Sequence, residues 1–136
     1  MSYLRQKSDF NLDAAKELIS KQIYAPSVHC SYYSCFQLLM YIIQDFFGVD
    51  YEAQKRESRR AKQTSHNYVI QYIANELHNL EKEIEVRKTV IRQIKQLKQL
   101  RVESDYHDIE IGFERSTKAL SYADDIRSYV AANFNL

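Results

Sequence analysis

Apolar residues along this chain return at three- and four-residue steps, the spacing that gathers them on one side of an α-helix. Ala14, Ala15, Leu18 and Ile19 share one side of a first helix over residues 8–21, with Asp13, Lys16 and Glu17 opposite. Ser8 or Asp9 is placed to cap its start. A short link then meets Pro26, suited to the first position of a second helix because its missing N–H has no helical partner there. The second helix has the most continuous apolar pattern: Val28, Tyr32, Cys35, Phe36, Leu39, Ile43, Phe46 and Phe47, widened by Tyr33, Met40 and Ile42. A helix apolar on most sides belongs at the centre of a fold. Gly48 follows as a natural stop.

Residues 52–64 are a charged run with no apolar side chain larger than alanine, which reads as a mobile loop or an exposed helical extension, and as a solvated segment in preference to an RNA-contacting arm. Thr64 or Ser65 opens a third helix with Val69, Ile70, Ile73 and Leu77 inward, and a break falls near residues 77–80. A fourth helix over residues 80–106 places Ile84, Ile91, Ile94 and Leu97 inward, with lysine and arginine crowding its other faces. A last helix over residues 112–134 uses Phe113, Leu120, Ala123, Ile126 and Val130. The pattern predicts one all-α domain spanning residues 1–136, an antiparallel up-and-down bundle of four main helices with room for a fifth short one.

Composition sharpens this picture. Two glycines and one proline in 136 residues leave little for the tight turns of a β fold. Hydrophobic residues at 45% and charged residues at 27% are the balance of a globular domain. A net charge of +1 gives no global field toward nucleic acid, so any such binding needs a local cluster. The opening residues resemble no signal peptide and no apolar run nears the length of a membrane span, so the chain reads as a cytoplasmic protein without a membrane. Cys30 and Cys35 are turned away from each other on one helix and fit neither a disulfide nor a zinc half-site, which leaves them as small core residues.

Three groupings carry candidate chemistry. Arg101, Asp105, Tyr106 and His107 close the fourth helix. Arg101 lies four and seven residues after Leu97 and Ile94, on the edge of the inward stripe, where a guanidinium needs a partner; the plain reading is an ion pair with Asp105 one turn on. His66 opens the third helix, where the dipole does not favour positive charge. Tyr32 and Tyr33 point about 100° apart, so one is core and the other meets a neighbour. The remaining histidines, His29, His78 and His107, lack acidic partners at zinc-helix spacing, and two isolated glycines make no phosphate loop, so neither metal nor cofactor is expected.

Taken in order, these segments resemble the HEPN family of small helical-bundle proteins. Ala14-Ala15-Lys16-Glu17-Leu18-Ile19, Tyr24-Ala25 and Ser31-Tyr32-Tyr33-Ser34-Cys35-Phe36 are similar to the family's opening helices. Ser65-His66-Asn67-Tyr68-Val69 is similar to its mid-chain Ser/Thr-His step. Leu100-Arg101 with Ser104-Asp105-Tyr106 resembles its Arg-x-x-Ala-Asp-Tyr signature, Ser replacing Ala. The resemblance runs over residues 8–134. It implies a homodimer whose cleft, lined by Arg101, Asp105, Tyr106, Tyr33 and His66, takes a nucleotide or RNA phosphate, beside a nucleotidyltransferase-like partner. It implies as an alternative a metal-independent toxin ribonuclease, since Arg101 and His107 match the family's Arg-x(4–6)-His spacing. There His107 would be general acid/base and Arg101 would hold the phosphate. Val102 departs from the nuclease pattern, where a polar residue follows the arginine. The third alternative is a structural interaction bundle with no ligand of its own.

Overall fold

The computed structural model describes residues 2–136, and among them the chain is all-helical. Six helices form: α1 (Leu4–Ser20), α2 (Tyr24–Asp45), α3 (Tyr51–Arg60), α4 (Ser65–Leu80), α5 (Ile84–Tyr106) and α6 (Phe113–Asn133). The expected four or five are therefore six. Paired contacts give their directions. Tyr24–Phe113, Cys35–Ala123 and Phe46–Phe134 advance together, so α2 and α6 run alike. Ser104–Ala25 and Arg101–Tyr33 put α5 opposite to α2, and Glu103–Arg115 with Gln93–Asp125 put it opposite to α6. His66 against Tyr32 and Tyr72 against Phe47 align α4 with α2.

The charged run that read as a loop or an exposed helical extension is a helix, α3. Its sequence supplies every local requirement for a short helix. Asp50 caps it, accepting from the Ala53 N–H at 2.8 Å. Glu52 in the first turn and Arg59 and Arg60 in the last complement the helix dipole. Instead of an apolar stripe, α3 buries Gln54 and Ser58, one turn apart. The Gln54 amide donates to the carbonyls of Met40 (3.1 Å) and Val49 (3.0 Å), which fastens α3 to the end of α2. The chain thus returns along α2 before α4 begins.

The core matches the sequence at its centre and differs at its margins. α2 buries Val28, Tyr32, Cys35, Phe36, Leu39, Ile42 and Ile43, as a central helix should. Cys30 is only half-buried and does not belong to that core. Ile84 and Phe113, expected inward, are exposed at 54% and 61%, because each stands at the first turn of its helix beyond the packed layers. Ser8 caps nothing: α1 begins at Leu4, and Ser8 is buried in its middle, donating to the Ser34 carbonyl at 2.5 Å. Asp9 instead pairs with Arg127 of α6 at 2.6 Å. Pro26 is the third residue of α2, still within the turn whose N–H groups lack helical partners. Gly48, at φ +75°, provides the left-handed step after α2. Among the described residues no helix is long and apolar enough to cross a membrane.

Candidate functional site

The core stripe of α5 is Val90, Ile94, Leu97 and then Arg101, all buried at successive four-, three- and four-residue steps. The arginine therefore enters the space where a fourth aliphatic side chain would sit. A buried charge is costly unless it is paired and hydrogen-bonded. Arg101 is 8% exposed and has both kinds of partner. Its Nε lies 3.0 Å from Asp105 Oδ2 one turn on, and an Nη donates to the Tyr33 hydroxyl at 3.0 Å. The rings of Tyr32, Tyr33 and Tyr106 each face the guanidinium at 5.4 Å, the range of cation–π attraction. Only one of its N–H groups makes a hydrogen bond. The Nε–H does not point at the carboxylate beside it and has no hydrogen-bond acceptor.

A second layer comes from α2 and α4. His66 sits between the two phenols, with Nδ1 2.7 Å from the Tyr32 hydroxyl and Nε2 3.5 Å from that of Tyr33. Its ring stacks on Phe36 with centroids 4.3 Å apart. Burial, then the charges of Arg101 and Lys98, lower its pKa to about 4, so it is neutral near pH 7. A neutral imidazole has one donor and one acceptor. The tautomer that satisfies both phenols has Nδ1 accepting the Tyr32 proton and Nε2–H turned to the Tyr33 oxygen. Burial above all raises the Tyr32 pKa, which keeps that proton on the phenol. The Tyr33 oxygen then accepts from Arg101 and His66, and its own proton is free to be donated outward.

Asp105 has a further partner in His29 of α2, whose Nδ1 lies 2.8 Å from Oδ2. The His29 ring rests on Tyr33 at 4.6 Å. Ser104, standing where the resembling signature has alanine, donates to the Ala25 carbonyl at 2.8 Å and so pins the end of α5 against the start of α2. Tyr33 and Phe36 also wall a cavity of about 260 Å³ that Lys7, Gln54, Lys55 and Tyr68 help to line.

The structure therefore brings five sequence-predicted residues into one cluster: Arg101, Asp105, Tyr106, Tyr33 and His66. It does not bring His107 in. That residue follows the last residue of α5, is exposed, and no hydrogen bond joins it to Arg101. The sequence reading did not place Tyr32, Phe36 or His29 in the site. Their signal was present as two i, i+4 pairs on α2, His29 with Tyr33 and Tyr32 with Phe36, which continue one face past Tyr33. Chemically the cluster presents a buried planar cation with a spare N–H and a phenol proton. Those are donors for an anionic oxygen, set against aromatic rings suited to a base. Among the described residues no three His, Cys, Asp or Glu side chains converge as a metal site requires.

Compared with family models, curated proteins and solved structures, the chain matches none.

Proposed function

We propose that this chain is a HEPN-type nucleotide- or RNA-binding protein that acts as a homodimer, with a nucleotidyltransferase-like protein as its partner. The observation that carries the reading is the Arg101 cluster. A guanidinium buried in a core stripe, ringed by three tyrosines and with its buried Nε–H lacking an acceptor, is more than α5 needs to pack against α2. Tyr106, Ile109 and Phe113, at the end of α5 and in the link to α6, are exposed large hydrophobic side chains, which supports a second copy covering that end.

Equilibrium binding of a fluorescein-labelled oligoribonucleotide tests this reading. Arg101→Ala is expected to lose binding with the helical circular dichroism retained. Arg101→Lys is expected to recover only part of it, because an ammonium keeps the charge and loses the planar fork. Unchanged affinity in Arg101→Ala removes Arg101 from the function.

Metal-independent RNA cleavage is the second reading, resting on the Arg-x(4–6)-His spacing of Arg101 and His107. The 2′-oxygen would attack phosphorus as its proton leaves. The 5′-oxygen would depart with a proton, yielding a cyclic phosphate. His107 would exchange one of those protons and Arg101 would hold the phosphoryl oxygens. Cleavage in EDTA that disappears in both Arg101→Ala and His107→Ala is its expected signature.

A further inference from the structure

The net charge of the whole chain is +1, yet its cations are not spread evenly. Along the exposed side of α5, Lys88, Arg92 and Lys95 succeed each other at four- and three-residue steps. That spacing stacks them on one face, about 5–6 Å apart along the axis. Arg87 stands beside Lys88. None of these four side chains is in an ion pair in the structure. The Arg87 Nε is buried and has no hydrogen-bond acceptor, a second guanidinium N–H left unmatched. Glu81, whose pKa the Arg87 charge helps to lower, is already held by the Tyr129 hydroxyl at 2.7 Å.

The face is also recessed. A hollow of about 500 Å³ is lined by Arg87, Lys88, Arg92 and Lys95 with His78 and Ile91, and by no carboxylate. A second hollow, of about 390 Å³, continues from Lys95 to Lys98 and Asn67. Lys98 donates to Asn67 at 2.5 Å and lowers the pKa of the neighbouring His66 by its charge, so the row of cations arrives at the Arg101 cluster. A solvated helix face would interleave acids with these bases, as residues 52–60 do on α3.

We infer that the groove between α4 and α5 is a binding track for the backbone of single-stranded RNA, running from Arg87 and Lys88 through Arg92 and Lys95 to Lys98 and into the Arg101 site. Unpaired cations at regular steps track a phosphate backbone. The amides of Asn67, Gln71 and Gln96 along the groove offer donors and acceptors to base edges, which a membrane surface would not use. The track rests on the RNA-binding reading above, and deepens it by giving the path of the strand.

The test is the salt dependence of binding to a fluorescein-labelled oligouridylate, with three variants beside the wild type. In Lys88→Gln/Arg92→Gln/Lys95→Gln, affinity is expected to fall roughly tenfold or more. The slope of log affinity against log salt should become shallower by about 2, three charges at about 0.7 each. The matched variant Arg56→Gln/Arg59→Gln/Lys62→Gln removes the same charge from α3 and the turn that closes it, and should bind close to wild type. Equal losses in the two triple variants reduce the effect to net charge and overturn the track, as does unchanged binding in the α5 variant. Arg101→Ala separates the two ideas. If it alone loses binding, the site stands and the track falls; if only the α5 variant loses binding, the track stands and the Arg101 reading falls. A wild type that binds anionic vesicles and not the oligouridylate overturns both.

Discussion

At the scale of single residues, the site depends on where two charges are allowed. Arg101 continues an aliphatic stripe, so its charge is held in the interior by Asp105, Tyr33 and three aromatic faces. His66 shares that space and is kept neutral by it. Its folded pKa of about 4 lies below the ordinary 6.5, so the unfolded chain binds a proton more readily than the folded one between those values. The stabilising effect is complete above about pH 6.5 and is lost as pH falls toward 4. Thermal unfolding followed across that window should therefore show wild type losing more stability on acidification than His66→Gln, whose amide does not titrate. Parallel curves for the two would contradict the assignment. The spacing of Arg101 after Ile94 and Leu97 put its base on the edge of the inward stripe, and Asp105 one turn on announced its partner. The contributions of His29, Tyr32 and Phe36 were not legible in the same way. They depend on α2 meeting both α4 and α5, which no local spacing specifies.

At the scale of elements, the instructive case is α3. Its hydrophobic pattern is absent, so a reading based on apolar periodicity passes over it. Its capping and charge signals are complete: Asp50 before the first turn, Glu52 within it, Arg59 and Arg60 in the last. The tertiary anchor is the Gln54 amide, which a search for apolar faces cannot see. The helix then closes with Lys62 in the left-handed region at φ 55° and the Gln63 N–H bonded to the Ser58 carbonyl at 3.0 Å. A side chain there is strained by roughly 1 kcal/mol relative to glycine. Lys62→Gly is expected to stabilise the fold by about that amount, and Asp50→Ala to destabilise it by about 1 kcal/mol through loss of the cap. Chemical denaturation checks both; opposite signs would show that α3 is not held by its ends. α4 was the better-announced helix, with Thr64 capping Asn67 where the sequence put its start.

For the whole molecule, four of the six helices meet at one end of the bundle. The start of α2, the end of α5 and the start of α6 meet there, and α4 begins with His66 already against Tyr32. The all-α class and the central place of α2 followed from periodicity and from the shortage of glycine and proline. The path of the chain did not, because the return along α2 is made by a helix with polar anchors. The site's separation from His107 also belongs to this scale, since α5 ends at Tyr106 and the chain turns away to reach α6.

RNA bound as proposed lies against the aromatic side chains around Arg101, and photo-crosslinking reads that contact directly. A 4-thiouridine-containing oligoribonucleotide irradiated with the wild-type protein should give crosslinks that mass spectrometry maps to Tyr33 and Tyr106, lost in Arg101→Ala. Crosslinks confined to α1 or α3, or unchanged in Arg101→Ala, would contradict it.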